Sequence, residues 1–318
     1  MSIVDKELDE YKLIYAEDIN RIKNERIFIT GSSGLIGTAI YQLLRDDCSK
    51  IYNYHHTESL ERMLNEFNPS IIFHCGAITK SADFVERPVE VIDSIINPTK
   101  IILDYCKNSG CKLIYLSSLE VYGIVSRETV TEKSELYVNS NSVRNSYPTA
   151  KIFSEQLCTS YREEFGVDVK VARIASTFGL FNKEDDGRIF NKIVSCLISN
   201  NNLVLNSDGS SKKDVIYTLD CVGALLKLLL SDICVCNISS DEFYSIRLIS
   251  EMAFRNFNGG CEVIVNDDAS VSRYLANSLN FHMDNSLIKS LGWKPLRSIM
   301  DIFKIEIIRR CKNDNSKQ

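Results

Sequence analysis

The chain has 318 residues, 44% of them hydrophobic, which suffices for one large α/β domain or for two lobes. A formal charge of −5 gives no electrostatic case for binding nucleic acid or an anionic membrane. No apolar run reaches membrane-spanning length and residues 1 to 7 lack a signal-peptide pattern, so a soluble, cytoplasmic protein is expected. The 11 cysteines are scattered. Cys234 and Cys236, the one close pair, read as reduced thiols rather than half a metal site. The four histidines show no ligand spacing, and no metal is expected.

In chain order, residues 1 to 25 are a charged preface, read as a helix leaning on the domain. Residues 26 to 30 form a short apolar run of the kind that makes a buried parallel strand. Gly31, Gly34 and Gly37 follow at once, and residues 38 to 44 read as a helix. In such a strand-turn-helix, Gly31 permits the tight turn and Gly34 lets backbone approach a pyrophosphate. Gly37 allows close helix–strand packing, and the N–H groups around Leu35 and Ile36 face the phosphates. A ligand-free glycine turn is the simpler reading, but the flanking strand and helix favour a dinucleotide.

Further strands are expected at 71 to 75, 112 to 117 and 169 to 173, with helices at 58 to 67, 88 to 108 and 147 to 165. Strand-like and helix-like runs alternate as a doubly wound parallel sheet requires. Between Gly37 and Ile71 only one short strand near residues 50 to 56 and one helix fit, fewer elements than a full mononucleotide-binding unit. An acid that would meet the adenosine ribose is also missing. The count falls near Tyr54, His55 and His56, which leaves NAD and NADP both open. From about residue 180 the elements shorten, and the tail after Ile308 is polar and expected to fray.

Tyr147 and Lys151 stand four apart, hence one turn apart on one face of the expected helix. Ser118 lies upstream in Leu-Ser-Ser-Leu-Glu-Val-Tyr-Gly, residues 116 to 123. A nearby ammonium favours a phenolate, so Tyr147 could exchange a proton well below the usual tyrosine range while Ser118 holds the same substrate oxygen. An ordinary amphipathic helix could carry the same pair by chance.

With both motifs in view, the chain resembles the extended short-chain dehydrogenase/reductase family of nucleotide-sugar epimerases and dehydratases, over residues 26 to 298. Within it the chain is most similar to UDP-glucuronate decarboxylase-like proteins. The segments carrying this are 117 to 123, 143 to 151, 169 to 174, Asp-Asp-Gly-Arg-Ile-Phe at 185 to 190, Asp-Gly-Ser-Ser-Lys-Lys-Asp at 208 to 214, and Leu-Gly-Trp-Lys-Pro at 291 to 295. The resemblance implies a Rossmann-type dinucleotide-binding domain over 26–178, a smaller, mostly substrate-binding lobe over 179–308, a nucleotide-sugar substrate and a homodimer. It also implies a place in sugar-nucleotide or surface polysaccharide biosynthesis. Tyr147 and Lys151 would also touch the cofactor.

Departures from the family pattern narrow the chemistry. Dehydratases carry Thr-Asp-Glu where this chain has Ser118-Leu119-Glu120, and leucine cannot protonate a leaving hydroxyl, so 4,6-dehydration is disfavoured. Glu120 could orient the sugar, act as a base, or simply bond to backbone. Arg144 matches an arginine placed to meet a substrate carboxylate or hydroxyl. Arg188 and Lys213 fall where the family contacts the nucleotide, with Lys213 replacing an arginine fork by a point charge. Ser176 replaces a substrate-reading asparagine, and Ile95 another polar contact, with Asn97 close by. The implied reaction is oxidation at sugar C4, then epimerisation, decarboxylation or, in reverse, keto reduction. A catalytically silent binding or regulatory module is the alternative, which the intact serine, tyrosine and lysine argue against.

Overall fold

The computed structural model describes residues 1–126, 128–184, 186–257, 260–266 and 280–315. Two helices, α1 (Ile3–Ile14) and α2 (Ala16–Ile22), precede β1 (Ile27–Thr30), every residue of which is buried. The glycine turn leads into α3 (Leu35–Leu44), then β2 (Ile51–Asn53), α4 (Leu60–Phe67) and β3 (Ile71–His74). After the single turn α5 (Asp83–Glu86) comes the long α6 (Pro88–Ser109), which Gly110 ends in the left-handed region at φ 71°. Next are β4 (Lys112–Ser118), a 3₁₀ turn at Leu119–Tyr122, β5 (Thr129–Val130), α7 (Ser146–Phe165) and β6 (Val169–Ile174).

The second half contributes β7 (Ser176–Phe178), α8 (Ile189–Ser199), β8 (Leu203–Leu205), β9 (Lys212–Tyr217) and α9 (Thr218–Leu229). It continues with β10 (Val235–Ile238), β11 (Phe243–Ser245), α10 (Ile246–Phe257), β12 (Val263–Val265), β13 (His282–Met283), α11 (Ser286–Lys289) and α12 (Ile299–Asn315). β10 returns to the main sheet and pairs in parallel with β6.

The main sheet runs β10-β6-β4-β3-β1-β2, all parallel. Such strands are buried on both faces, which explains their near-continuous Ile, Val and Leu. One apolar layer (Ile27, Ile29, Ile40, Leu43) packs under α3, and the other (Phe28, Leu60, Met63, Leu103) under α4 and α6. The short stretch after Gly37 holds one strand and one helix, so β2 is an edge strand and no further strand lies outside it among the described residues. The order, read as 2-1-3-4-5-6, is the flavodoxin-like arrangement of a doubly wound sheet. Small sheets β11-β9-β7, β12-β8 and β13-β5 build the rest.

The preface is more than a leaning helix. Tyr11 is buried and donates to Asp220 at 2.7 Å, and Arg297 pairs with Glu7 at 3.1 Å, so α1 is tied to α9 and to the segment before α12. Beyond Ile308, expected as a polar tail, the chain is still helical. α12 runs on through Asn315, with Arg309 and Arg310 both paired to the fully buried Glu306; residues 316–318 lie outside the described residues. No disulfide joins any two of the 11 cysteines, and Cys236 is buried while Cys234 is half-buried. No helix among the described residues is long and apolar enough to cross a membrane.

Candidate active site

β1 delivers the glycine turn at the carboxyl end of the sheet, where a doubly wound fold binds ligands. Gly31 has φ 64°, and a Cβ there would lie 2.7 Å from the Cys75 backbone. Only glycine fits both demands. Gly34 caps α3, which begins at Leu35, three residues earlier than the sequence suggested. The N–H groups of Leu35, Ile36 and Gly37 therefore belong to the first helical turn, whose donors have no partner within the helix. A Cβ on Gly37 would meet the Gly31 carbonyl oxygen at 2.4 Å, so this glycine closes α3 onto the turn rather than onto β1. A backbone cradle with free N–H groups and no side chains fits a pyrophosphate.

β4 ends at Ser118, whose Oγ accepts the Glu120 N–H at 3.2 Å and starts the 3₁₀ turn. Across from it, α7 presents Tyr147 and Lys151, both buried. The Tyr147 ring stacks on Phe84 with centroids 4.6 Å apart and planes 3° from parallel. Ser146 Oγ donates to the Phe84 carbonyl at 2.9 Å, fixing α5 against α7. Ile95, where a polar contact might have stood, is buried in the same apolar cluster. Lys151 Nζ donates to the Leu116 carbonyl at 2.6 Å and lies 4.8 Å from the Tyr115 ring centroid.

The electrostatics set burial against the phenolate that the spacing suggests. Burial pushes the Tyr147 phenol well above the ordinary tyrosine value, Glu120 adds to this, and a hydrogen bond with Ser118 pulls the other way. Burial likewise pulls Lys151 down to about 8. Desolvation is the largest influence on both groups. Near pH 7 Tyr147 therefore holds its proton, while Lys151, at about 8, still carries most of its charge.

Beside this trio, Arg144 Nη1 donates to Glu120 Oε2 at 3.2 Å, and its guanidinium lies 4.9 Å from the Phe84 centroid. Its Nε is buried without a partner. Lys213, on β9, is pulled below the usual lysine value by burial, with Glu120 pushing it up and Arg144 down, so the three charges share one place. Glu120 is therefore salt-bridged, not merely bonded to backbone.

Ser176 opens β7 opposite Val215, half-buried. Arg188 is held apart from the charge cluster: it pairs with Asp186 at 2.7 Å and donates to Asn182 and to the Thr177 carbonyl next to Ser176. Asp185, in the motif that contains Arg188, lies outside the described residues.

Two neighbours escaped the sequence reading. Phe84 sits on the single turn α5 with no motif around it, and only its stacking reveals it. His74 lies 2.7 Å from Thr30 and 3.1 Å from Thr99, and burial lowers it to about 3, so it is a neutral brace between β1, β3 and α6. Among the described residues no cluster of three or more His, Cys, Asp or Glu could hold a metal ion.

A parallel sheet, a glycine cradle at a helix N-terminus, and Ser118, Tyr147 and Lys151 gathered at the same carboxyl end of the sheet define a dinucleotide-binding α/β protein. The model of the NAD dependent epimerase/dehydratase family matches residues 27–233. The chain belongs to that family, and this places it among NAD-dependent enzymes.

Among curated relatives, UDP-glucuronic acid decarboxylase 6 of Arabidopsis thaliana is 24% identical over 230 residues, 66% of this chain and 67% of that protein. UDP-glucuronic acid decarboxylase 1 of Danio rerio is 24% identical over 229 residues, 66% of this chain but 55% of that one. The matched segment thus spans about half to two thirds of these relatives.

Similar solved structures include the UDP-glucose 4-epimerase of Thermotoga maritima with UDP-glucose. Its TM-score is 0.80 at 19% identity, covering 90% of this chain and 99% of that one. UDP-glucuronic acid 4-epimerase of Bacillus cereus, with UDP-glucuronic acid and NAD, matches with a TM-score of 0.74 at 19% identity over 90% and 99%.

Proposed function

We propose that the protein is an NAD(P)-dependent nucleotide-sugar oxidoreductase acting at sugar C4, with Ser118, Tyr147 and Lys151 as its reacting set. The convergence of these three side chains beside the glycine cradle carries the reading. Bound nicotinamide supplies the hydride acceptor and donor. Tyr147 takes the proton of the C4 hydroxyl, Ser118 steadies that oxygen as it becomes a carbonyl, and Lys151 holds the nicotinamide ribose. A cation against Tyr147 offsets the burial that keeps its phenol protonated, so proton abstraction awaits cofactor and substrate together.

Arg144 and Lys213 face the site as a pair of cations with Glu120 between them. They suit a substrate carboxylate or diphosphate, and they support a uronic acid among the candidate sugars, in keeping with decarboxylases and a glucuronate epimerase among the similar proteins. Ser176 and Arg188 line the β7 rim for the nucleotide. Leu119 leaves no acid for 4,6-dehydration. Epimerase, decarboxylase and 4-keto reductase remain the three outcomes of this site. A cytoplasmic homodimer in sugar-nucleotide or surface polysaccharide biosynthesis completes the reading, with 26–178 as the dinucleotide domain and 179–308 mostly the substrate lobe.

The test is a panel of UDP-, dTDP-, GDP- and CDP-sugars, uronic acids included, incubated with the purified protein and NAD or NADP. Conversion of one sugar to its C4 epimer or its decarboxylated pentose, or oxidation to the 4-keto sugar with release of NADH or NADPH, assigns the outcome. No conversion across the panel by protein that binds dinucleotide would favour a silent module.

A further inference from the structure

The rim of the adenosine pocket is built differently from one that selects NAD. In doubly wound folds the strand following the glycine helix ends in an acid that accepts the ribose 2′-hydroxyl and repels a 2′-phosphate. Here that strand is β2. Its last residue, Asn53, pairs with Ile29 of β1, two residues before Gly31. Tyr54 N–H donates to the Ile29 carbonyl at 2.9 Å, and Ser32 of the glycine turn donates back to the Tyr54 carbonyl at 3.3 Å. Asn53 therefore stands beside the cradle, where the acid would be. Tyr52 stacks on Phe28 on the α4 face, so strand alternation puts Asn53 on the face that carries α3.

Two observations mark Asn53 as a ribose contact. Its Oδ1 is buried and accepts no hydrogen bond, which a bound hydroxyl would remedy. β2 is the edge strand, so no further strand end supplies a carboxylate from outside. The nearby acids are engaged elsewhere: Glu58 accepts from Tyr52 at 3.0 Å, and Asp46 pairs with Lys12 at 2.6 Å. The loop beyond Asn53 exposes His55 and His56.

We infer that Asn53 makes the protein a dual-cofactor enzyme that binds NADP about as readily as NAD. A carboxylate can only accept hydrogen bonds, whereas a carboxamide has both an acceptor and a donor edge. Asn53 accepts from a 2′-hydroxyl through Oδ1 and, turned over, donates to a 2′-phosphate through Nδ2. The inference rests on the dinucleotide-binding reading and sharpens it.

Calorimetric titration of cofactor-stripped protein with NAD and with NADP tests it without any turnover. Wild type should give Kd values within about tenfold of each other. Asn53→Asp should lower the affinity for NADP relative to that for NAD by at least about tenfold, because a negative charge then faces the 2′-phosphate. His55→Glu, on the exposed loop, should act in the same direction and spares the strand should Asn53→Asp fold poorly. A wild type that prefers NAD by more than about a hundredfold, or variants that leave the NADP-to-NAD ratio unmoved, would overturn the inference. Binding of neither dinucleotide would instead overturn the cofactor reading beneath it.

Discussion

Replacing Lys151 by methionine separates what this residue does for chemistry from what it costs the fold. Lys151 is buried, and its value falls from 10.5 to about 8, a gap of about 3 kcal/mol against the charged form. The folded value lies below the unfolded one, so between these limits the unfolded chain binds more protons and wild-type stability rises with pH. The penalty is about 3 kcal/mol near pH 7 and about 1 kcal/mol near pH 10. Charged or neutral, the amine keeps a donor for the Leu116 carbonyl, so losing that bond displaces the comparison without changing its slope. Thermal unfolding of both proteins, stripped of dinucleotide, should show the variant's advantage over wild type shrinking by a few degrees from pH 7 to pH 10. Other titrating groups cancel between the two. A melting-temperature difference that stays flat across this window would refute the desolvated lysine.

Gly31→Ala forces a Cβ to within 2.7 Å of the Cys75 backbone at φ 64°; it should cost about 1–3 kcal/mol in chemical denaturation and abolish dinucleotide binding in titrations. Glu155 lies one turn beyond Lys151 on α7, accepting from Arg173 at 2.7 Å and from Ser117 at 2.5 Å, all buried. Glu155→Met strands the Arg173 charge and should destabilise by about 3–5 kcal/mol in urea, the range for a broken buried pair. Arg144→Ala frees Glu120, and should raise KM for an acidic sugar substrate more than for a neutral one in steady-state assays.

Local signals carried the sequence reading far. Gly31 and the apolar run before it announce a strand-turn-helix because the backbone demand is local, and Tyr147 with Lys151 share a helix face by spacing alone. Glu120 and Arg144 were both legible as candidates, but their salt bridge joins residues 24 apart and only folding forms it. The Phe84 stack, the Leu116 carbonyl on Lys151 and the Tyr11–Asp220 bond across 209 residues have no sequence signature at all. The proton on Tyr147 is hard to read for a related reason: spacing reports its partner, whereas burial, a property of the whole fold, pushes the phenol up against that partner. The α12 tail misled through its polarity, because Arg309 and Arg310 find a buried partner in Glu306 one turn earlier.

The most direct test of the C4 chemistry is to follow a deuterium. A substrate from the panel, labelled at sugar C4, is incubated with wild type and with Tyr147→Phe, and the product is examined by mass and NMR. An epimerase or decarboxylase of this design returns product with the label still at C4, since the same hydride leaves and comes back, while a reductase yields labelled cofactor when run toward the keto sugar. Tyr147→Phe should bind dinucleotide normally yet turn over about 10²–10⁴-fold more slowly. Undiminished turnover in Tyr147→Phe, or a C4 label exchanged to solvent, would contradict the proposed site.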